Sequence, residues 1–193
     1  MLSEILRLLK GTVEWQNWGL NTITISAVAT AVLMVMQAWG LWKQRQKVEE
    51  TGSRESLSAP LFSFFIFSFF ALFWYGVDKK SLAMALNGLL GFGYALVLRS
   101  MWKAEPFNMK EKIVFWLSPL ALLSMIFLPW KDDLLFVILG ISLVPLADQP
   151  LKIWLARKTG ALDLRFVAMF SVSAVFWTIY GFATKNWVLS IIN

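Results

Sequence analysis

The feature that most limits what this chain can become is a series of six long, nearly uncharged apolar runs, at about 18–42, 59–77, 81–98, 113–130, 134–156 and 164–183. Each approaches the ~20 residues a helix needs to cross a hydrocarbon core. A single soluble core in a chain of 193 residues has no room for all of them. Only 16% of the residues are charged, against about a quarter in soluble domains, and those charges fall between the runs. The runs are continuous, without the ten-residue alternation of an outer-membrane barrel. An all-α, multi-pass integral membrane protein is therefore expected, with the lipid bilayer as its main partner. A last apolar piece, 187–192, is too short to span.

The cations predict an orientation. Lys43, Arg45, Lys47 and Arg54 follow the first run, Arg99, Lys103, Lys110 and Lys112 the third, and Lys152, Arg157, Lys158 and Arg165 the fifth. Those twelve share one side, against six on the other: Arg7, Lys10, Lys79, Lys80, Lys131 and Lys185. Positive residues stay cytoplasmic, which puts the start of the chain outside a plasma or inner membrane. The net charge of +6 thus reports topology and not nucleic acid. Most of the eleven Trp lie near run ends, as in an aromatic belt. Residues 1–17 read as an interfacial segment, because Leu2, Ile5, Leu6 and Leu9 form one apolar face.

There is no Cys and no His, which removes thiol nucleophiles, disulfides, imidazole bases and the commonest metal ligands. No acid–base pair or nucleophile constellation stands in their place. No enzyme activity, cofactor or metal is expected.

The chain also repeats itself. Leu72-Phe-Trp-Tyr-Gly76 ends the second run and Trp177-Thr-Ile-Tyr-Gly181 the sixth, with Tyr75 and Tyr180 105 residues apart. A short connection follows each, then an apolar run carrying Asn87 or Asn193. Upstream, Gln37 pairs with Gln149, and the first connection reads as about seven residues longer than its counterpart. Three helices, one linker helix and three more give two parallel repeats, because the odd linker restores the orientation. The expected organisation is 1–17, 18–103 (first repeat), 104–131 (linker helix) and 132–193 (second repeat, with its last helix cut short).

With these residues in view, the chain resembles the SWEET (MtN3/saliva) sugar transporters of the PQ-loop superfamily over about 19–193. Trp177-Thr-Ile-Tyr-Gly181 is similar to the family's W-T-x-Y-G, and Asn87-Gly88 to its Asn-Gly. The PQ pair stands as Met36-Gln37 and as Asp148-Gln149, and Leu72 occupies the first-half position of Trp177. The resemblance implies two three-helix-bundle repeats joined by a linker helix (3+1+3), and facilitative transport of a mono- or disaccharide by alternating access.

It also implies a cavity around Asn87, Trp177 and Asn193, with Ser68, Leu72 and Phe73 as first-half walls. Amides suit sugar hydroxyls and an indole suits the C–H face. The same Asn residues also fit interhelical packing. Asp148, inside an apolar run, is a proton-coupling candidate, or pairs with Lys152 at i,i+4. Pro145 and Pro150 are candidate hinges. The alternatives are a proton-coupled amino-acid or metabolite carrier using Asp148, a nicotinamide-riboside-type carrier, and a non-transporting receptor or scaffold. A homo-oligomer is compatible with all of these.

Overall fold

A computed structural model describes residues 7, 9–157 and 160–192, the side chains of Gln149, Lys152, Ala156, Ile191 and Ile192 excepted. The described residues are all-helical: α1 Val13–Gln16, α2 Thr22–Thr51, α3 Ala59–Asp78, α4 Leu82–Gly88, α5 Leu90–Ala104, α6 Met109–Leu117, α7 Pro119–Phe127, α8 Lys131–Ala156, α9 Leu164–Ala183 and α10 Trp187–Ile192. Five stretches are long and apolar enough to cross a membrane: α2, α3, α4 with α5, α8 up to Leu155, and α9. Their exposed apolar side chains, Val28, Val32 and Val35 on α2 and Val172, Val175 and Ile179 on α9 among them, suit contact with lipid. This is a membrane-embedded protein.

Polar side chains set the helix starts. Asn21, Ser58, Ser81, Asn108 and Asp163 each accept a backbone N–H of the first turn they precede, which satisfies a donor the helix leaves free. Ser58, at the start of α3, is fully buried, where an unpaired amide is costly.

Local features recur at a spacing of 105 residues. Gly52 and Arg157 end α2 and α8 in the left-handed conformation. Ser58 and Asp163 cap α3 and α9. Lys80 and Lys185 both have positive φ, and Ser81 and Asn186 donate their N–H groups to the carbonyls of Gly76 and Gly181, each at 2.8 Å. A Cβ on Gly76 would lie 2.4 Å from Ala85 N, and one on Gly181 2.7 Å from Ser190 N. At both places two helices touch through backbone, which only glycine permits. Packing crosses between the halves: α2 lies along α9, and α8 against α3.

Several expectations change. The first helix runs over 22–51 and not 18–42. Its polar last turns stay helical because Gln44 and Val48 are buried against the other half. The connections 52–58 and 157–163 are therefore equal in length, and at the 105 spacing Gln149 corresponds to Gln44, whereas Gln37 corresponds to Ser142. The expected linker helix is two pieces, α6 and α7, since Pro119 has no N–H to continue the ladder. The third run likewise breaks, at Leu89, between α4 and α5.

Candidate functional site

The bundle has three levels. At the basic end, where α2 and α8 finish and α3 and α9 begin, the two connections interlock. Ala161 N–H donates to Glu55 C=O at 3.0 Å. Gln44 donates to Ala161 C=O at 2.6 Å and accepts from Asp163 N–H at 2.8 Å, while Lys47 reaches Leu162 C=O at 2.6 Å. Asp148 belongs to this end: Ser58 Oγ donates to its Oδ2 at 2.5 Å. Above this level, Tyr94 sits among Phe62, Phe65, Phe69, Phe166 and Phe170, with ring centroids 5.1–6.3 Å from its own.

The middle level is polar and unsatisfied. Gln37 Oε1, Asn87 Oδ1, Ser173 Oγ and Trp177 Nε1 are buried without a hydrogen-bond partner, as are Tyr94 Oη, Ser63 Oγ and Arg54 Nε elsewhere in the bundle. The four residues are 1–5% exposed, so these atoms meet no bulk water. Trp177 shares an apolar cluster with Ala83, Met84 and Tyr180. Asn87 lies one turn deeper than Ala83 on α4, and Ser173 one turn deeper than Trp177 on α9, each on the face of its partner. Gly40 of α2 abuts Phe166 and Met169 of α9. Gln37, nearly one turn back along the antiparallel α2, thus falls level with Phe170 to Ser173. Ser173 differs from its counterpart Ser68, whose hydroxyl folds back onto Phe64 C=O at 3.0 Å.

The far end is closed by two reciprocal contacts. Asn186, the cap of α10, donates to Tyr75 Oη at 2.6 Å, and Tyr75 donates to Asp132 Oδ1 at 2.7 Å. Lys79 Nζ pairs with Asp132 at 2.9 Å. In the other contact, Tyr180 Oη lies 2.8 Å from Ser81 Oγ, the cap of α4, and donates to Glu14 Oε1 at 2.6 Å. Each half's tyrosine thereby reaches the other half's cap. Glu14 also accepts from Ser81 Oγ at 2.8 Å and from the N–H groups of Leu82 and Ala83, both at 3.0 Å. Burial works to raise the Glu14 carboxyl. The bonds from Tyr180, Ala83, Leu82 and Ser81 outweigh it and hold the group below its ordinary range.

Of the residues expected from sequence, Asn87 and Trp177 reach the middle level. Leu72 is half-buried against the Trp177 cluster, and Phe73 backs Asn87 by pressing on Gly88. Ser68 is buried but satisfied within its own helix. Asn193 lies outside the described residues, and the 105 spacing carries Asn87 onto Ile192. The Lys152 side chain is also outside the described set. Pro145 and Pro150 stand inside an uninterrupted α8. Sequence reading missed Ser173, Glu14 and Asp132 and gave Gln37 no site role; the one available signal was the 105 spacing, which maps Ser68 onto Ser173. Among the described residues no group of three or more Asp or Glu is placed to hold a metal. No known family, curated protein or solved structure matches this chain.

Proposed function

We propose that this protein is a transporter that carries a small uncharged polar solute, most simply a mono- or disaccharide, by facilitative alternating access. On this reading it is two parallel three-helix repeats joined by α6 and α7, with the basic end in the cytoplasm. The observation that carries the proposal is the set of unpartnered atoms on Gln37, Asn87, Ser173 and Trp177. Leaving buried polar groups unpaired costs roughly 1–3 kcal/mol each, and a solute with hydroxyl groups would satisfy them together. Two amide oxygens accept, the indole N–H donates, and the serine does either. None of the four side chains is charged, which favours a neutral polyol over an ion or a zwitterion. Cross-half contacts on both sides of this level suit a carrier that opens one end at a time.

Purified protein in liposomes tests the reading with labelled glucose, sucrose and amino acids. Equilibration of a sugar without a pH gradient supports it. Absence of flux for every solute would refute it and favour a receptor or scaffold. A second reading, proton coupling, draws on Asp148, a half-buried carboxylate bonded to Ser58 where α8 meets α3. It requires uptake that follows a pH gradient and loses that dependence in Asp148→Asn.

A further inference from the structure

Glu14 precedes the described spanning helices, yet the residue is 8% exposed and its carboxylate accepts four hydrogen bonds. Three come from the start of α4 and one from α9. The anchors sit directly above the middle level: Ala83 is four residues from Asn87, and Tyr180 three from Trp177, about 6 and 4.5 Å along a helix axis. One side chain therefore links the helix that carries Asn87 to the helix that carries Trp177, beside the direct Tyr180–Ser81 contact at 2.8 Å. A second tether, Val13 N–H to Lys80 C=O at 2.9 Å, holds the short helix α1 in place.

The opposite contact is built differently. There the carboxylate is Asp132, in the first turn of α8 itself, and Lys79 neutralises it. Glu14 stands on a separate four-residue helix, joined to α2 by residues 17–21. Hydrogen bonds weaken steeply beyond ~3.2 Å, so the Tyr180 hydroxyl of α9 stays against the start of α4 while Glu14 accepts from both.

We propose that Glu14 is a positioning residue for the central site: it fixes the separation of α4 and α9, and its release from one of them is required for the site to open at the far end. This rests on the reading of the middle level as a solute site, but its test needs no solute.

The chain has no cysteine, so Ser173→Cys, at a position 1% exposed, is a unique thiol reporter. The full chain in detergent is labelled with a charged methanethiosulfonate, and Val97→Cys, fully buried in the other apolar cluster, reports general loosening. Glu14→Ala is expected to raise the Ser173→Cys labelling rate tenfold or more and to leave Val97→Cys unreactive. Glu14→Asp, one methylene shorter, is expected between the two. A folded Glu14→Ala protein labelled within twofold of the parent overturns the proposal, as does an equal rise at both reporters. If Glu14→Ala does not fold, Tyr180→Phe decides: it removes one hydroxyl and should raise Ser173→Cys labelling several-fold, and no change overturns the proposal. Labelling that behaves as expected in a protein that moves no solute would refute transport and leave the positioning role standing.

Discussion

The role proposed for Asn87 and Trp177 rests on what their side chains lack. An Asn inside a membrane helix normally bonds a neighbouring helix, yet here its oxygen has no partner, and neither does the indole N–H. Asn87→Ala and Trp177→Phe, which keeps most of the buried ring volume, should therefore lose little stability through lost polar contacts, while solute flux falls at least tenfold. Flux in liposomes beside melting temperature in detergent checks both halves of that statement. Glu14 makes the opposite case, a polar group fully engaged. Its carboxyl is held below its ordinary range, so its contribution to stability is complete above the unfolded-state pKa and is lost as pH falls through the folded one. Melting temperature should drop on acidification below the usual carboxylate range, and Glu14→Gln should be less stable at neutral pH with a shallower acid slope. Identical slopes for the two proteins would remove this assignment.

At the level of helices, contact is set by glycine and by one buried ion pair. Gly76→Ala and Gly181→Ala force a methyl onto the backbone of the facing helix, and backbone cannot rotate aside. Each should cost about 1–3 kcal/mol, read as a fall in melting temperature. A methyl added at Gly140, also helical, would meet nothing within 4 Å, so Gly140→Ala should be neutral or stabilise by up to ~1 kcal/mol. The α6–α7 unit is fastened by Arg54, which meets Glu111 at 2.6 Å with both side chains under a tenth exposed. Glu111 also closes a capping box with Asn108 at the start of α6. Glu111→Ala should cost about 1–3 kcal/mol, because it takes the buried partner and the helix cap away and leaves Arg54 with the exposed Glu105 carboxylate at 3.3 Å and Pro106 C=O at 3.2 Å. The paired change Arg54→Met with Glu111→Leu should be milder.

At the scale of the whole molecule, closure is shared between halves. The basic end is tied by Gln44 and Lys47 to the 161–163 backbone, and the far end by Tyr75 and Tyr180. The orientation proposed for these ends has its own test. Single cysteines at Arg45 and Lys185 should be labelled by an impermeant reagent from opposite sides of the membrane, Lys185→Cys from outside. Labelling of both from one side would overturn the proposed topology.

The amino-acid sequence alone determined that this is a helical membrane protein, and it carries local features that recur along the chain. Both follow from local pattern: apolar runs of spanning length, and Tyr-Gly pairs 105 residues apart. Asn87 and Trp177 were singled out by the resemblance of Asn87-Gly88 and Trp177-Thr-Ile-Tyr-Gly181 to the motifs of a transporter family. Only the tertiary structure decided where the first helix ends, because residues 43–51 are polar by composition and the partners that bury Gln44 among them lie in the 161–163 backbone. It also gave Asp148, near the basic end, a partner ninety positions away. Ser173 is one helix hydroxyl among many until its neighbours withhold a bond. Glu14 reads as a solvated charge in an interfacial segment, and it becomes a tie between two helices only when α4 and α9 are brought to it, since hydrogen bonds depend on distance in space and leave no periodic trace along the chain.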